Sequence, residues 1–154
     1  MYITLLAFHS LIRWLVLASL LFSIYRAYTG WLNSKPFTNI DNKIRAGTVT
    51  IAHIQLVVGL GLYIISPIVA YFFAGFPEVI HQREIRFFGM EHSTMMLSAM
   101  ALITIGSAKA KRKLTDEDKF KTLAIWFSIA LFIIFTSIPW AFSPFTTRPY
   151  FRPF

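Results

Sequence analysis

No cysteine occurs among the 154 residues of the chain. That excludes a disulfide, a thiolate zinc site, a cysteine-ligated iron–sulfur cluster and a thioether-attached haem. Any metal or cofactor must hang on His, Glu, Asp, Met or backbone groups. Charge is scarce as well: Asp, Glu, Lys and Arg make up 14% of the residues, against roughly a quarter in soluble domains. There is no Walker loop, no glycine-rich dinucleotide turn, no Ser-His-Asp set and no pair of carboxylates suited to a cleft. What the chain does have is apolar mass, with 56% hydrophobic and 17% aromatic residues and a mean hydropathy of +0.59. Its net charge of +8 sits in patches between apolar blocks, a membrane pattern rather than a nucleic-acid-binding one. The length accommodates one compact unit, residues 1–154, and no separate catalytic domain.

A spanning helix needs about 20 mostly apolar residues. Residues 46–77 run for 32 positions, and 122–147 for 26, without Asp, Glu, Lys or Arg. Residues 92–108 form a shorter run, extended by Phe87, Phe88, Gly89 and Met90, and the block 1–25 is interrupted only by Arg13. The pattern predicts an all-α membrane protein, a four-helix up-down bundle with spans at roughly 4–27, 46–70, 84–107 and 119–141 and a tail over 142–154. The N-terminus lacks a basic start and Arg13 breaks the apolar core of any signal peptide, so the first helix is expected to stay in the mature protein.

Cations set the orientation. Arg26, Lys35, Lys43 and Arg45 lie between the first two spans, and Lys109, Lys111, Arg112, Lys113, Lys119 and Lys121 between the last two. The middle connection has only Arg83 and Arg86, balanced by Glu78 and Glu84. Both basic loops are therefore expected in the cytoplasm and both termini outside. Trp31, Trp126, Trp140, Tyr25 and Tyr28 fall near the expected helix ends. Pro67 should end or kink the second helix, leaving Pro67–Pro77 as either a helical continuation or an interfacial stretch. Thr115, three residues before Asp118, reads as an N-cap. The proline-spaced tail should lie along the outer surface or on a partner.

Polar groups at membrane depth are costly and face the bundle interior. Here they are His9, Arg13, His53, Gln55, Glu91 and His92. His9 and Arg13 stack on one helical face. Counted from the outer surface, His9 and His92 fall at nearly the same depth on two parallel helices facing each other diagonally, a geometry suited to holding one haem iron from both sides. His53 lies about one turn, roughly 5 Å, away in depth, and could replace His9 or stand beside the pair. An Arg13–Glu91 ion pair would account for both charges; alternatively Arg13 neutralises a haem propionate or Glu91 takes protons. Met95, Met96 and Met100 read as packing, and His81 as a solvated loop residue. Gly59 and Gly61 read as a close helix approach or room for a flat cofactor, and Gly89, Ala99, Ala101 and Gly106 likewise.

At these residues the chain resembles a family of small four-helix bacterial membrane proteins labelled cytochrome b or cytochrome b-like. The resemblance is carried by His9-Ser10-Leu11-Ile12-Arg13-Trp14, by His53-Ile54-Gln55 through Gly59-Leu60-Gly61-Leu62-Tyr63, by Arg86-Phe87 to Glu91-His92, by Ile103-Thr104-Ile105-Gly106 and by Ile138-Pro139-Trp140. It implies a b-type haem or quinol-linked electron transfer.

The leading expectation is a bis-histidine haem b electron carrier, with His9 and His92 as ligands, His53 as substitute or neighbour, and Arg13 as counter-charge. Its partners would be membrane lipids and a redox protein or a quinone. Two alternatives stand beside it. One is a cofactor-free accessory or assembly subunit, acting within a larger complex or as a homo-oligomer. The other is a site for a divalent transition metal (Zn, Fe or Cu) built from His9, His53, His92 and Glu91.

Overall fold

The computed structural model describes residues 1–140 and Thr146, all helical or in connections, with no β-strand among the described residues. The expected surface-lying tail over 142–154 falls outside them, apart from Thr146. The elements are α1 (Tyr2–Leu32), α2 (Asn39–Ile65), α3 (Pro67–Ala74), a 3₁₀ turn (Glu78–His81), α4 (Arg83–Arg86), a π-turn (Phe87–Glu91), α5 (His92–Lys111) and α6 (Asp116–Ser137).

Capping and proline explain where these elements start and stop, and they correct the expected boundaries. α2 begins at Asn39 rather than near 46, because Thr38 and Asp41 form a capping box in which each side chain binds the other's backbone N–H. It ends at Ile65 rather than 70. Pro67 offers no N–H, and Ser66, extended at ψ 124°, becomes the N-cap of α3, where it accepts from the Val69 N–H. α6 begins at Asp116, three residues before expectation, because Thr115 caps the Asp118 N–H at 3.1 Å. It stops at Ser137 rather than 141, since Ile138 precedes a proline and is extended at ψ 132°. The span expected at 84–107 runs unbroken from 83 to 111 through α4, the π-turn and α5.

Cross-helix bonds show how the long helices run. Ser23 meets Thr48 at 2.8 Å and Gln55 reaches the His9 carbonyl at 2.9 Å, so α1 and α2 are antiparallel. Tyr63 reaches Gly89, and His53 faces Thr104, which makes α2 antiparallel to the 83–111 run. Trp14 stacks near Trp140 while Tyr28 meets Ser128 on α6, so α6 descends against α1. α1 packs on α2 and α6, and α5 packs on α6 and α2. α1 and α5 therefore run parallel on a diagonal.

Small residues line these contacts: Ala27, Ala52, Ala99, Ala110, Ala124 and Ala130 are buried among Leu20, Ile103 and Phe127. Large apolar side chains point outward instead, with Val57 68%, Ile64 82% and Phe132 69% exposed. This inside-out pattern suits lipid surroundings, where helices associate through close packing of small residues. α1, α2 and α6 are long and apolar enough to cross a membrane, with hydropathies of 1.9, 1.9 and 1.8 in their most apolar windows.

Gly106 shows how tight that packing is. A side chain there would collide with Trp126 of α6, whose ring also carries the Lys109 ammonium 4.6 Å from its centre. Gly106→Leu is expected to destabilise the fold by about 1–3 kcal/mol through overpacking. Thermal unfolding in detergent checks this, with Ala101→Leu at an exposed position of the same helix as the comparison.

Candidate functional site

Two polar centres lie at opposite ends of the bundle. The first is a histidine pair near the end holding the N-terminus. His9 of α1 and His92 of α5 put their ring centres 6.4 Å apart with planes at 76°. His92 opens α5 directly after the π-turn. The turn is braced from two sides: the Tyr63 hydroxyl donates to the Gly89 carbonyl at 2.6 Å, and Phe72 of α3 fills the space a Gly89 side chain would need. Such turns are frequent at functional sites.

The His92 Nδ1 lies 2.9 Å from the Ser137 carbonyl. Ser137 is the last residue of α6, so its carbonyl is one of the orphan acceptors at a helix end. A carbonyl can only accept, so Nδ1 carries the proton and the Nε2 lone pair is left for another partner. Phe87 and Phe88 wall the His92 ring, with centres at 5.6 and 6.3 Å.

His9 is set differently. Its backbone carbonyl accepts from the Gln55 amide, while its Nδ1 and the Gln55 Oε1 are buried without a hydrogen-bond partner. Gly59 of α2 lies against the same ring: a Cβ there would sit 3.2 Å from His9 Cε1. The bare glycine thus admits the imidazole between α1 and α2, and Gly61 faces Leu5 in the same way. Arg13 lies one turn further along α1, its guanidinium 5.3 Å from the Trp14 ring centre and Nη2 3.4 Å from Ser10 Oγ.

The other candidates lie elsewhere. Glu91 is held by Arg86, Nε to Oε1 at 2.6 Å, rather than by Arg13; the two share one end of the 83–111 run, and the π-turn between them brings their side chains together. His53 bonds its own helix through Nδ1 to the Val49 carbonyl at 2.8 Å, and its Nε2 faces Thr104 at 3.4 Å. His81 is exposed in the 3₁₀ turn. Among the described residues, no group of three or more His, Asp or Glu side chains gathers where it could hold a metal ion. The four-residue metal set of His9, His53, His92 and Glu91 is therefore not brought together. Met100 is buried, Met96 packs on the core and Met95 is exposed.

The second centre, at the opposite end, was not foreseen. Arg26 of α1 reaches Asp41 of α2 through Nε at 3.0 Å and Nη2 at 2.6 Å, while Asp41 Oδ2 accepts from the Thr38 N–H and hydroxyl at 2.9 and 2.6 Å. Close by, Ser23 bonds Thr48, and Arg45 Nη1 donates to Ser107 of α5. The signal available was the Thr-x-x-Asp spacing, which marks a capping box. That its aspartate also takes an arginine from another helix follows only from packing.

The site defines an all-helical protein with helices fit to cross a membrane and one close histidine pair between parallel helices. Comparison with protein-family models, with curated proteins and with solved structures finds no match to this chain.

Proposed function

We propose that the chain is a four-span membrane protein that holds one b-type haem between His9 and His92 and passes single electrons to a membrane partner. The observation carrying this reading is the histidine pair. Two imidazoles gripping one metal ion from opposite sides, with nitrogen–metal bonds of about 2 Å, place their ring centres about 6 Å apart, and His9 and His92 stand at 6.4 Å. The rings meet edge to face at 76°, so holding one ion between them would take a rotation of a ring about its side-chain bonds.

The surroundings fit such a group. A ligating histidine nearly always donates its other ring N–H to a carbonyl or carboxylate, which orients it and raises its basicity; His92 does so to Ser137. His9 Nδ1 and Gln55 Oε1 are orphaned buried polar atoms, which call for a partner. Gly59 keeps the flank of His9 bare, and Arg13 brings a cation within one turn. When bound, the group would supply a one-electron carrier, and two histidines holding it would suit electron transfer rather than oxygen chemistry.

The fourth span is the 83–111 run. Hydroxyls along it bond within their own helix: Ser93 and Thr94 donate to the Met90 carbonyl, Ser98 to Thr94 and Thr104 to Met100. A hydroxyl satisfied this way is tolerated in lipid. Both basic connections meet at one end, where Lys121 lies over Trp31 and Lys109 over Trp126. The positive-inside rule places that end in the cytoplasm and both termini outside. On the family resemblance, the membrane is a bacterial inner membrane.

A dithionite-reduced minus oxidised absorption spectrum of the detergent-purified protein, produced with haem supplied, tests the reading. A sharp b-type α band is expected. A flat spectrum from folded protein would overturn it and leave the cofactor-free accessory subunit as the better account.

A further inference from the structure

The basic end carries a pocket of about 160 Å³ lined by Arg26, Thr29, Gly30, Lys35, Pro36, Thr38 and Phe120. Two cations line it, and no carboxylate does; the Thr29 and Thr38 hydroxyls on its wall donate elsewhere, to the Tyr25 and Arg26 carbonyls and to Asp41. Its walls are fixed by contacts that do not use the pocket. Asp41 holds the Arg26 guanidinium through Nε and Nη2. The Lys35 N–H donates to the Gly30 carbonyl at 3.0 Å, which folds the connection back over α1. Gly30 has no room for a side chain because the Phe120 ring of α6 lies against it, and Phe37 stacks on that same ring with centres 4.9 Å apart. Asp41 is engaged by Arg26 and Thr38, and Asp116 by Lys119 at 2.8 Å. Lys35 is exposed and makes no ion pair with the described residues. A fixed concavity with an uncommitted ammonium and a braced guanidinium is complementary to one phosphate-bearing anion.

The surface below the pocket says which source supplies it. Phe22, Tyr25 and Thr29 follow one another at helical spacing on α1 beside Arg26, and Phe22 and Tyr25 are 50% and 65% exposed. An apolar stripe thus leads from the pocket toward the middle of the bundle. A free phosphate has no use for that stripe, whereas an acyl chain does. We propose that this pocket is a specific site for the phosphate headgroup of an anionic phospholipid in the cytoplasmic leaflet, with Lys35 and Arg26 on the phosphate and the acyl chain along Tyr25 and Phe22. The inference rests on the membrane placement given above and is independent of the haem. Basic pockets between spanning helices on the cytoplasmic side are recognised headgroup sites.

The test is thermal unfolding of the full chain in neutral detergent, with short-chain phosphatidylglycerol, short-chain phosphatidylcholine or inorganic phosphate added at equal concentration. Phosphatidylglycerol is expected to raise Tm by about 4 °C, and the other two to leave it unchanged. Lys35→Glu should abolish the rise, Lys35→Arg should keep it, and Lys113→Glu, outside the pocket, should keep it. Equal loss in Lys35→Glu and Lys113→Glu would mean general surface charge and overturn the site. An equal rise with inorganic phosphate would overturn the lipid source, and no rise in the wild type would overturn the proposal outright. Alkaline carbonate extraction of membranes checks the placement separately: a chain released by it would sink the membrane reading itself.

Discussion

His92→Ala is expected to abolish the b-type absorption band, and His9→Ala to do the same, while His53→Ala leaves at least half of it. The three differ in what their nitrogens are free to do. His92 has Nδ1 committed to the Ser137 carbonyl, which leaves the Nε2 lone pair as the one that could ligate; His9 has a buried Nδ1 without a partner. His53 spends Nδ1 on Val49 of its own helix and faces Thr104 with Nε2. A site that needs both histidines to hold the group would lose its spectrum when either one goes. His92→Ala also frees a buried carbonyl at the end of α6, an unmet acceptor costing about 1–3 kcal/mol. Far-UV circular dichroism therefore accompanies the spectra, since lost absorbance counts only where helix content survives. A band kept in either His9→Ala or His92→Ala with helix intact would remove that residue as a ligand.

Much of this arrangement is legible in the residue pattern itself. Hydropathy marks the apolar helices, because a lipid-facing surface must be apolar over a whole span and no tertiary detail can hide it. The pairing of His9 with His92 follows from counting turns down two parallel helices, which is a matter of rise per residue. Thr115, with Asp118 three residues on, marks a helix start for the same local reason. What is not legible depends on the path of connections. The partner of Glu91 is Arg86 because a π-turn rotates the chain between them, and a π-turn has no residue signature. The Ser137 carbonyl that orients His92 is a backbone atom, so no residue type announces it. Its availability could be inferred only from Pro139, which marks a helix end at the depth of His92. Likewise Pro67 shows that α2 stops, but the return of Phe72 onto Gly89 is a property of the whole hairpin between α2 and α5.

The Arg26–Asp41 centre shows how an uneven ion pair should respond to losing either partner. Asp41 has 3% of its side chain exposed and Arg26 has 40%. Removing Asp41 leaves a guanidinium that can turn toward water or headgroups. Removing Arg26 leaves a carboxylate that cannot. Breaking a buried pair costs about 3–5 kcal/mol when the remaining charge is trapped, and less when it escapes. Asp41→Ala also deletes the capping box at Thr38, worth about 1 kcal/mol. Arg26→Ala is therefore expected to destabilise by about 3 kcal/mol and Asp41→Ala by about 2 kcal/mol, with Asp41→Asn milder because an amide oxygen still accepts from the Thr38 N–H. At 2–4 °C per kcal/mol for a chain of this size, Tm should fall by about 9 °C and 6 °C. The double variant should be less destabilised than the two single effects added, since Arg26→Ala strands the carboxylate that Asp41→Ala removes. Additivity would show that the pair is solvated and not coupled. Residues 9 and 26 are separated by about 25 Å along α1 at 1.5 Å per residue, so the difference spectrum should be unchanged in all of these variants. That outcome would make stability at the basic end separable from the proposed cofactor binding at the histidine end.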